Sequence, residues 1–200
     1  ATNVIKNPTC TEPGLKRGTC KTCGQYKEEK PAALGHAFSS SFTVDKEATY
    51  NETGSKSKHC SRCDAKTEVT AIAKKVLATP TVSFKATAKG FEINWNKVEG
   101  AQSYIVYKKT YNASTKKWSD WSRLKSGVTS TSCTDTSVKL GSYYKYTVKA
   151  VNGKATSTFI TLNGKKYNVT PDVKVAVASN GIKVSWSTAA NATGYRVYSS

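Results

Sequence analysis

Six cysteines and two histidines are the residues of this 200-residue chain whose types and spacing best suit a metal ion. Cys10, Cys20, Cys23 and His36 share one short stretch, and Cys20-x-x-Cys23-Gly24 is a knuckle in which a tight β-turn aims two thiolates and its own amides at one ion. The Glu12-Pro13-Gly14 turn signal folds Cys10 back beside Cys20, and His36 completes a tetrahedral Cys3His set. The spacing therefore predicts a structural zinc site at Cys10, Cys20, Cys23 and His36. All four positions are protein ligands and no general base stands with them, which argues against catalytic zinc. Cys60 and Cys63 form a second knuckle with fewer partners. His59 is adjacent to it, His36 is available as a shared ligand, and pairing with Cys20/Cys23 as in a zinc ribbon is a third arrangement. A duplicated unit should be locally self-sufficient, which ranks the first set ahead of these. The competing use of the same thiols is a disulfide framework, because a small secreted domain with too little core is commonly stapled. Cys10 to Cys20 or Cys10 to Cys23 suits such a bridge, and the unpaired third thiol counts against it.

A second constellation carries binding rather than metal chemistry. Lys108, Lys109, Tyr111, Lys116, Lys117, Trp118, Trp121, Arg123 and Lys125 gather cations and aromatics on one connection and its flanks. Flat rings beside cations suit sugar stacking, anionic glycans or protein contacts. The plainer reading packs Trp121 over a sheet and leaves the lysines as a solvated face. Signatures of catalysis are missing: there is no nucleophile elbow, phosphate-cradling glycine loop or His-Glu-x-x-His helix, and the 13 carboxylates are scattered. The expectation is a non-catalytic chain.

Two internal duplications set the elements that must position these residues. A shift of 40 residues aligns Val4 with Val44, Lys6 with Lys46, Thr9 with Thr49, Glu12 with Glu52, Gly14 with Gly54, Cys20 with Cys60 and Cys23 with Cys63. In that alignment Tyr50 stands where Cys10 stood and Val76 where His36 stood, so the second copy is degenerate. A shift of 91 residues aligns Gly90 with Gly181, Trp95 with Trp186, Tyr104 with Tyr195 and Tyr107 with Tyr198. Residues 91–95 and 144–150 alternate with period two, and glycine-containing turn signals separate the strands. The chain reads as all-β: two small β-hairpin cysteine repeats (1–38 and 39–78), a seven-stranded sandwich (79–169), and the first three strands of a second sandwich (170–200). Three strands leave an inner face bare, so a natural protein is expected to continue beyond this segment.

Trp95, the Gly100-Ala-x-x-Tyr104 stretch and Gly141-Ser-Tyr-Tyr-Lys-Tyr-Thr-Val-Lys-Ala-Val-Asn-Gly153 together resemble a fibronectin type III domain of the bacterial kind, covering 79–169. The resemblance implies that Trp95 is core and that the Tyr144 hydroxyl ties back to upstream backbone. Cys133 is expected as a small inward thiol. Pro8-Thr-Cys-Thr-Glu-Pro-Gly14, Cys20-Lys-Thr-Cys-Gly24 and Ala33-Leu-Gly-His36 resemble short tandem modules of extracellular proteins of Gram-positive anaerobes. That likeness implies a linker or wall-associated repeat.

The formal charge is +18 and uneven: residues 77–169 hold 15 Lys/Arg against 4 Asp/Glu, whereas residues 1–76 hold 13 against 8. The surplus on the sandwich favours an acidic partner and attraction that weakens with salt. Zinc knuckles beside a basic surface also occur in nucleic-acid binders, but the charge lies away from the knuckles and no helix is available for a groove. No apolar run approaches the roughly 18 residues of a membrane span. These readings converge on an extracellular, cell-surface or cell-wall segment that binds a host protein, an anionic glycan or a wall polymer, with a pure spacer as the rival.

Overall fold

The computed structural model describes residues 2–169, 171–189 and 192–198. Residues 170, 190, 191, 199 and 200 of the expected second sandwich lie outside that part. The chain divides into two compact units, Ala1–Lys75 and Val76–Ser200.

The first unit holds two three-stranded antiparallel meanders. One is β1 (Thr2–Lys6), β2 (Leu15–Thr19) and β3 (Tyr26–Glu29); the other is β4 (Thr43–Lys46), β5 (Gly54–His59) and β6 (Lys66–Ile72). The duplication is visible atom by atom in the first turn of each. Thr9 Oγ1 accepts from the Glu12 N–H at 3.0 Å, and Thr49 Oγ1 accepts from the Glu52 N–H at 2.9 Å. Lys6–Glu12 and Lys46–Glu52 pair at 2.6 and 2.7 Å. Gly14 and Gly54 both press on backbone: a Cβ would sit 2.9 Å from the Lys6 carbonyl at the first and 2.6 Å from the Ala48 nitrogen at the second. The knuckles close β2 onto β3 and β5 onto β6.

The second unit is a sandwich. One sheet orders β12 (Ser132–Asp135), β8 (Gly90–Trp95) and β7 (Val82–Thr87). The other is built on β9 (Ser103–Asn112) and β13 (Tyr143–Asn152), flanked by β10 (Lys117–Trp118), β11 (Ser122–Val128), β14 (Ala155–Thr156) and β15 (Lys165–Lys166). Period-two alternation turns Phe91, Ile93 and Trp95 of β8 toward Tyr104 and Val106 of β9 and Tyr144, Tyr146, Val148 and Ala150 of β13, all buried. Phe84, Phe91 and Tyr146 meet edge to face at 5.1–5.5 Å between ring centroids. The Tyr144 hydroxyl accepts from the Lys139 N–H at 2.9 Å, tying it to backbone five residues upstream. Cys133 lies opposite Ile93, half-buried, and burial raises its thiol pKa.

Beyond the sandwich, β16 (Val173–Ala178) and β17 (Gly181–Trp186) form a two-stranded hairpin. The 91-residue duplication persists here in detail. The Ala189 N–H donates to the Tyr195 hydroxyl at 2.6 Å as the Val98 N–H does to Tyr104 at 2.9 Å, and Trp186–Tyr195 repeats the Trp95–Tyr104 ring contact. The third strand expected around residues 195–198 does not form; residues 192–198 are irregular. Its counterpart β9 is held by β11 and β13, and the described residues after 170 supply no equivalents of those two partners.

Candidate metal centre and aromatic face

The structure groups the metal-ligating residues differently from the local Cys3His expectation. Cys10, His36, Cys60 and Cys63 come together, their donor atoms all within 4.8 Å of one another, while Cys20 and Cys23 stand exposed outside the cluster. The cause is the segment that leaves the first meander. Leu34 and Gly35 donate N–H bonds to the Thr9 and Cys10 carbonyls at 2.8 and 3.0 Å, which docks His36 beside Cys10. The same segment then bridges to the second knuckle: Phe38 pairs with Cys60, the Ser39 N–H donates to the His59 carbonyl, and the Ser61 N–H donates to the Ala37 carbonyl, both at 2.9 Å. Arg62 fastens it from the far side through the Leu34 carbonyl at 3.0 Å. One connector thus carries Cys10 and His36 onto Cys60 and Cys63.

The distances suit a tetrahedral ion. Sulfur ligands at about 2.3 Å from a tetrahedral centre lie about 3.8 Å apart, and Cys10 Sγ and Cys60 Sγ are 3.8 Å apart. Cys63 Sγ lies 3.3 Å from His36 Nδ1. A disulfide needs about 2.05 Å, so Cys10 and Cys60 are unbridged. Burial pushes the Cys10 thiol up to about 11. Burial also raises Cys60, but N–H groups of Arg62 and Ala37, at 3.4 and 3.3 Å from its sulfur, outweigh it and bring the thiol down to about 6. Cys60 therefore ionises more readily than Cys10. The four residues can hold a metal ion. His59, which directly precedes this knuckle in the chain, is engaged elsewhere: its Nε2 lies 2.7 Å from Asp45, which also accepts from Ser57 at 2.6 Å and pairs with Lys66. The Ser57 hydroxyl faces that carboxylate rather than the imidazole, so the trio is a structural lock and not a nucleophile with its base.

The aromatic and basic residues divide by strand parity. Tyr104, Val106 and Lys108 point inward from β9; Lys109 and Tyr111 point outward. Lys108, expected in the surface cluster, is not there: its ammonium lies 2.9 Å from Asp135 and 2.7 Å from Ser137, with 15% of its side chain exposed. Outside, Tyr111 meets Trp118 at 5.3 Å and Tyr143 at 6.2 Å. Lys145 stands 4.6 Å over Trp118, Lys109 5.2 Å over Trp121, and Lys149 5.1 Å over Phe159, itself edge-on to Trp121. Gly164 lies flat against the Trp118 ring, where any Cβ would clash. Among the described residues Lys109, Lys145 and Lys149 have rings, and no carboxylates, as partners. A hollow of about 500 Å³ opens at the Tyr111–Trp118 pair, lined also by Asn112 and Lys117 among others. Lys116, Lys117 and Arg123 are exposed around this face. Tyr143, Lys145, Lys149 and Phe159 escape the sequence reading, although parity against buried Tyr144, Tyr146 and Val148 marks the outer residues of β13.

The chain is all-β, and its second unit holds a two-sheet antiparallel sandwich. No family model matches the sequence, and no curated protein does. Among solved structures it is similar to a segment of two fibronectin type III domains from chicken tenascin, at 16% identity and a TM-score of 0.40, over 83% of this chain and 97% of that one. It is also similar to the twitchin kinase region from C. elegans, at 15% identity and a TM-score of 0.40, over 55% of this chain; it spans only 19% of that chain.

Proposed function

We propose that this chain is a non-catalytic display and binding segment of a larger bacterial cell-surface protein, and that the outer face around Trp118 contacts an anionic glycan on a host or wall. The observation that carries the reading is the alternation of rings and unneutralised cations on β9, β10, β13 and the connection after β10: Tyr111, Trp118 and Trp121 with Lys109, Lys145 and Lys149. Rings offer flat apolar surface to a sugar, and lysines held over rings keep their charge for its carboxylate or sulfate. The excess of 15 cations over 4 acids in residues 77–169 adds long-range attraction. In the first unit, Cys10, His36, Cys60 and Cys63 hold zinc as a structural ion that replaces a core too small to fold alone.

The test is a glycan and host-protein binding panel with Trp118→Ala and Tyr111→Ala. Loss of binding by tenfold or more in the double variant, with weakening as salt rises, supports the reading. Unchanged binding, or none in the parent, leaves the spacer role, which the clamp between Cys10 and Cys60 independently favours. Equal affinity for any polyanion, nucleic acid included, would mark the attraction as non-specific.

A further inference from the structure

The duplicated knuckles have unequal fates, and the inequality has a direction. Cys60/Cys63 receives a cysteine and a histidine from the repeat before it. Cys20/Cys23 is built the same way: the Cys20 N–H donates to the Gln25 carbonyl at 2.8 Å as the Cys60 N–H does to the Ala65 carbonyl at 2.9 Å. An N–H two or three residues on also reaches the first sulfur in both, Cys23 to Cys20 at 3.5 Å and Arg62 to Cys60 at 3.4 Å. Yet both thiols of the first knuckle, Cys20 and Cys23, are exposed, and no further Cys or His joins them among the described residues. Donors run the opposite way. The first repeat has Cys10 and His36, both committed forward to the next knuckle, whereas the second has Tyr50 and Val76 at those positions and so donates nothing.

We infer that Cys20/Cys23 is the receiving half of a second zinc site, completed by a further copy of this chain's own repeat that carries cysteine and histidine at the Cys10 and His36 positions. The donor cysteine falls 50 positions ahead of Cys20, the spacing that separates Cys10 from Cys60. Each ion then sits between consecutive repeats and belongs to neither. The second repeat ends the series: it accepts ligands and offers none, and the chain passes from it into the sandwich. This inference rests on the zinc reading of the Cys10–His36–Cys60–Cys63 cluster.

The experiment lengthens the chain by a copy of residues 1–40 placed ahead of Ala1, which keeps the 40-residue register, and measures bound zinc per chain with iodoacetamide labelling of thiols. The original chain should hold one zinc and label at Cys20 and Cys23. The lengthened chain should hold two, with Cys20 and Cys23 protected until a chelator is added. Cys20→Ser with Cys23→Ser should return the lengthened chain to one zinc and leave the original chain at one. The inference is overturned by a lengthened chain that stays at one zinc with Cys20 and Cys23 still labelled. It is also overturned if the original chain dimerises with three ions per two chains, since the knuckles would then pair with each other. No zinc in the original chain removes the Cys10–His36–Cys60–Cys63 site and this inference with it.

Discussion

Asp135 has 1% of its side chain exposed, and every approach to it is answered. Lys108 and the Tyr146 hydroxyl reach one oxygen at 2.9 and 2.8 Å; the Ser137 hydroxyl and N–H reach the other at 2.6 and 2.9 Å. Burial raises the Asp135 pKa, but these donors outweigh it and hold the carboxyl below its usual range. A folded pKa below the unfolded one contributes stability that is present above about pH 4 and lost as pH falls through the folded value. Lys108→Met, which strands the buried carboxylate, should destabilise the sandwich by about 3–5 kcal/mol in urea titrations at pH 7. That loss should shrink toward pH 3, and a loss under about 1 kcal/mol would mean the pair is solvated. Lys108 also illustrates what sequence concealed at this scale. Proximity along the chain groups it with Lys109 and Trp118, while parity against Tyr104 and Val106 points it inward. The cysteines hid more: local spacing set Cys10 and His36 with Cys20 and Cys23, whereas the knuckle they meet depends on a bridge between Phe38 and Cys60 that no local spacing reveals.

Elements that pair on both sides and those that pair on one behave differently. β13 is bonded to β9 along eight register positions and buries Tyr144, Tyr146, Val148 and Ala150. Among the described residues β16 and β17 pair only with each other and leave Val173, Val175, Val177 and Ile182 exposed, Val177 at 93%. Amide hydrogen exchange should find β13 protected to the limit of global unfolding and β16–β17 exchanging at least a hundredfold faster; equal protection would show that the hairpin is covered by something else. The strands of the complete sandwich were legible because alternation and turn signals are local: residues 91–95 lie within β8 and residues 144–150 within β13. Residues 195–198 have the same pattern as β9 and are not a strand, because a strand is a property of its neighbours as well as of its own residues. Likewise each small repeat is a three-stranded meander, one strand more than the expected hairpin.

At the scale of the whole chain the duplications, the charge asymmetry and the all-β class were all readable without coordinates, since each is a sum over many residues. What was not readable is that a sequence repeat need not be a structural unit: the 40-residue period is cut through by a Cys/His cluster that draws on both copies. A cross-link between positions 50 apart has a mechanical meaning. With zinc bound as proposed, tension applied along the first unit would pass through Cys10 and Cys60 by way of the ion, and the chain between them would stay slack. At about 3.4 Å per residue, that hidden length is about 170 Å. In a single-molecule pulling experiment on zinc-loaded protein, about 170 Å of extension should appear only when the thiolate bonds give way, as a late separate step; after chelation it should merge into the first. The ion would then act as a fuse, sparing the strands behind it until it breaks and lengthening the tether when it does.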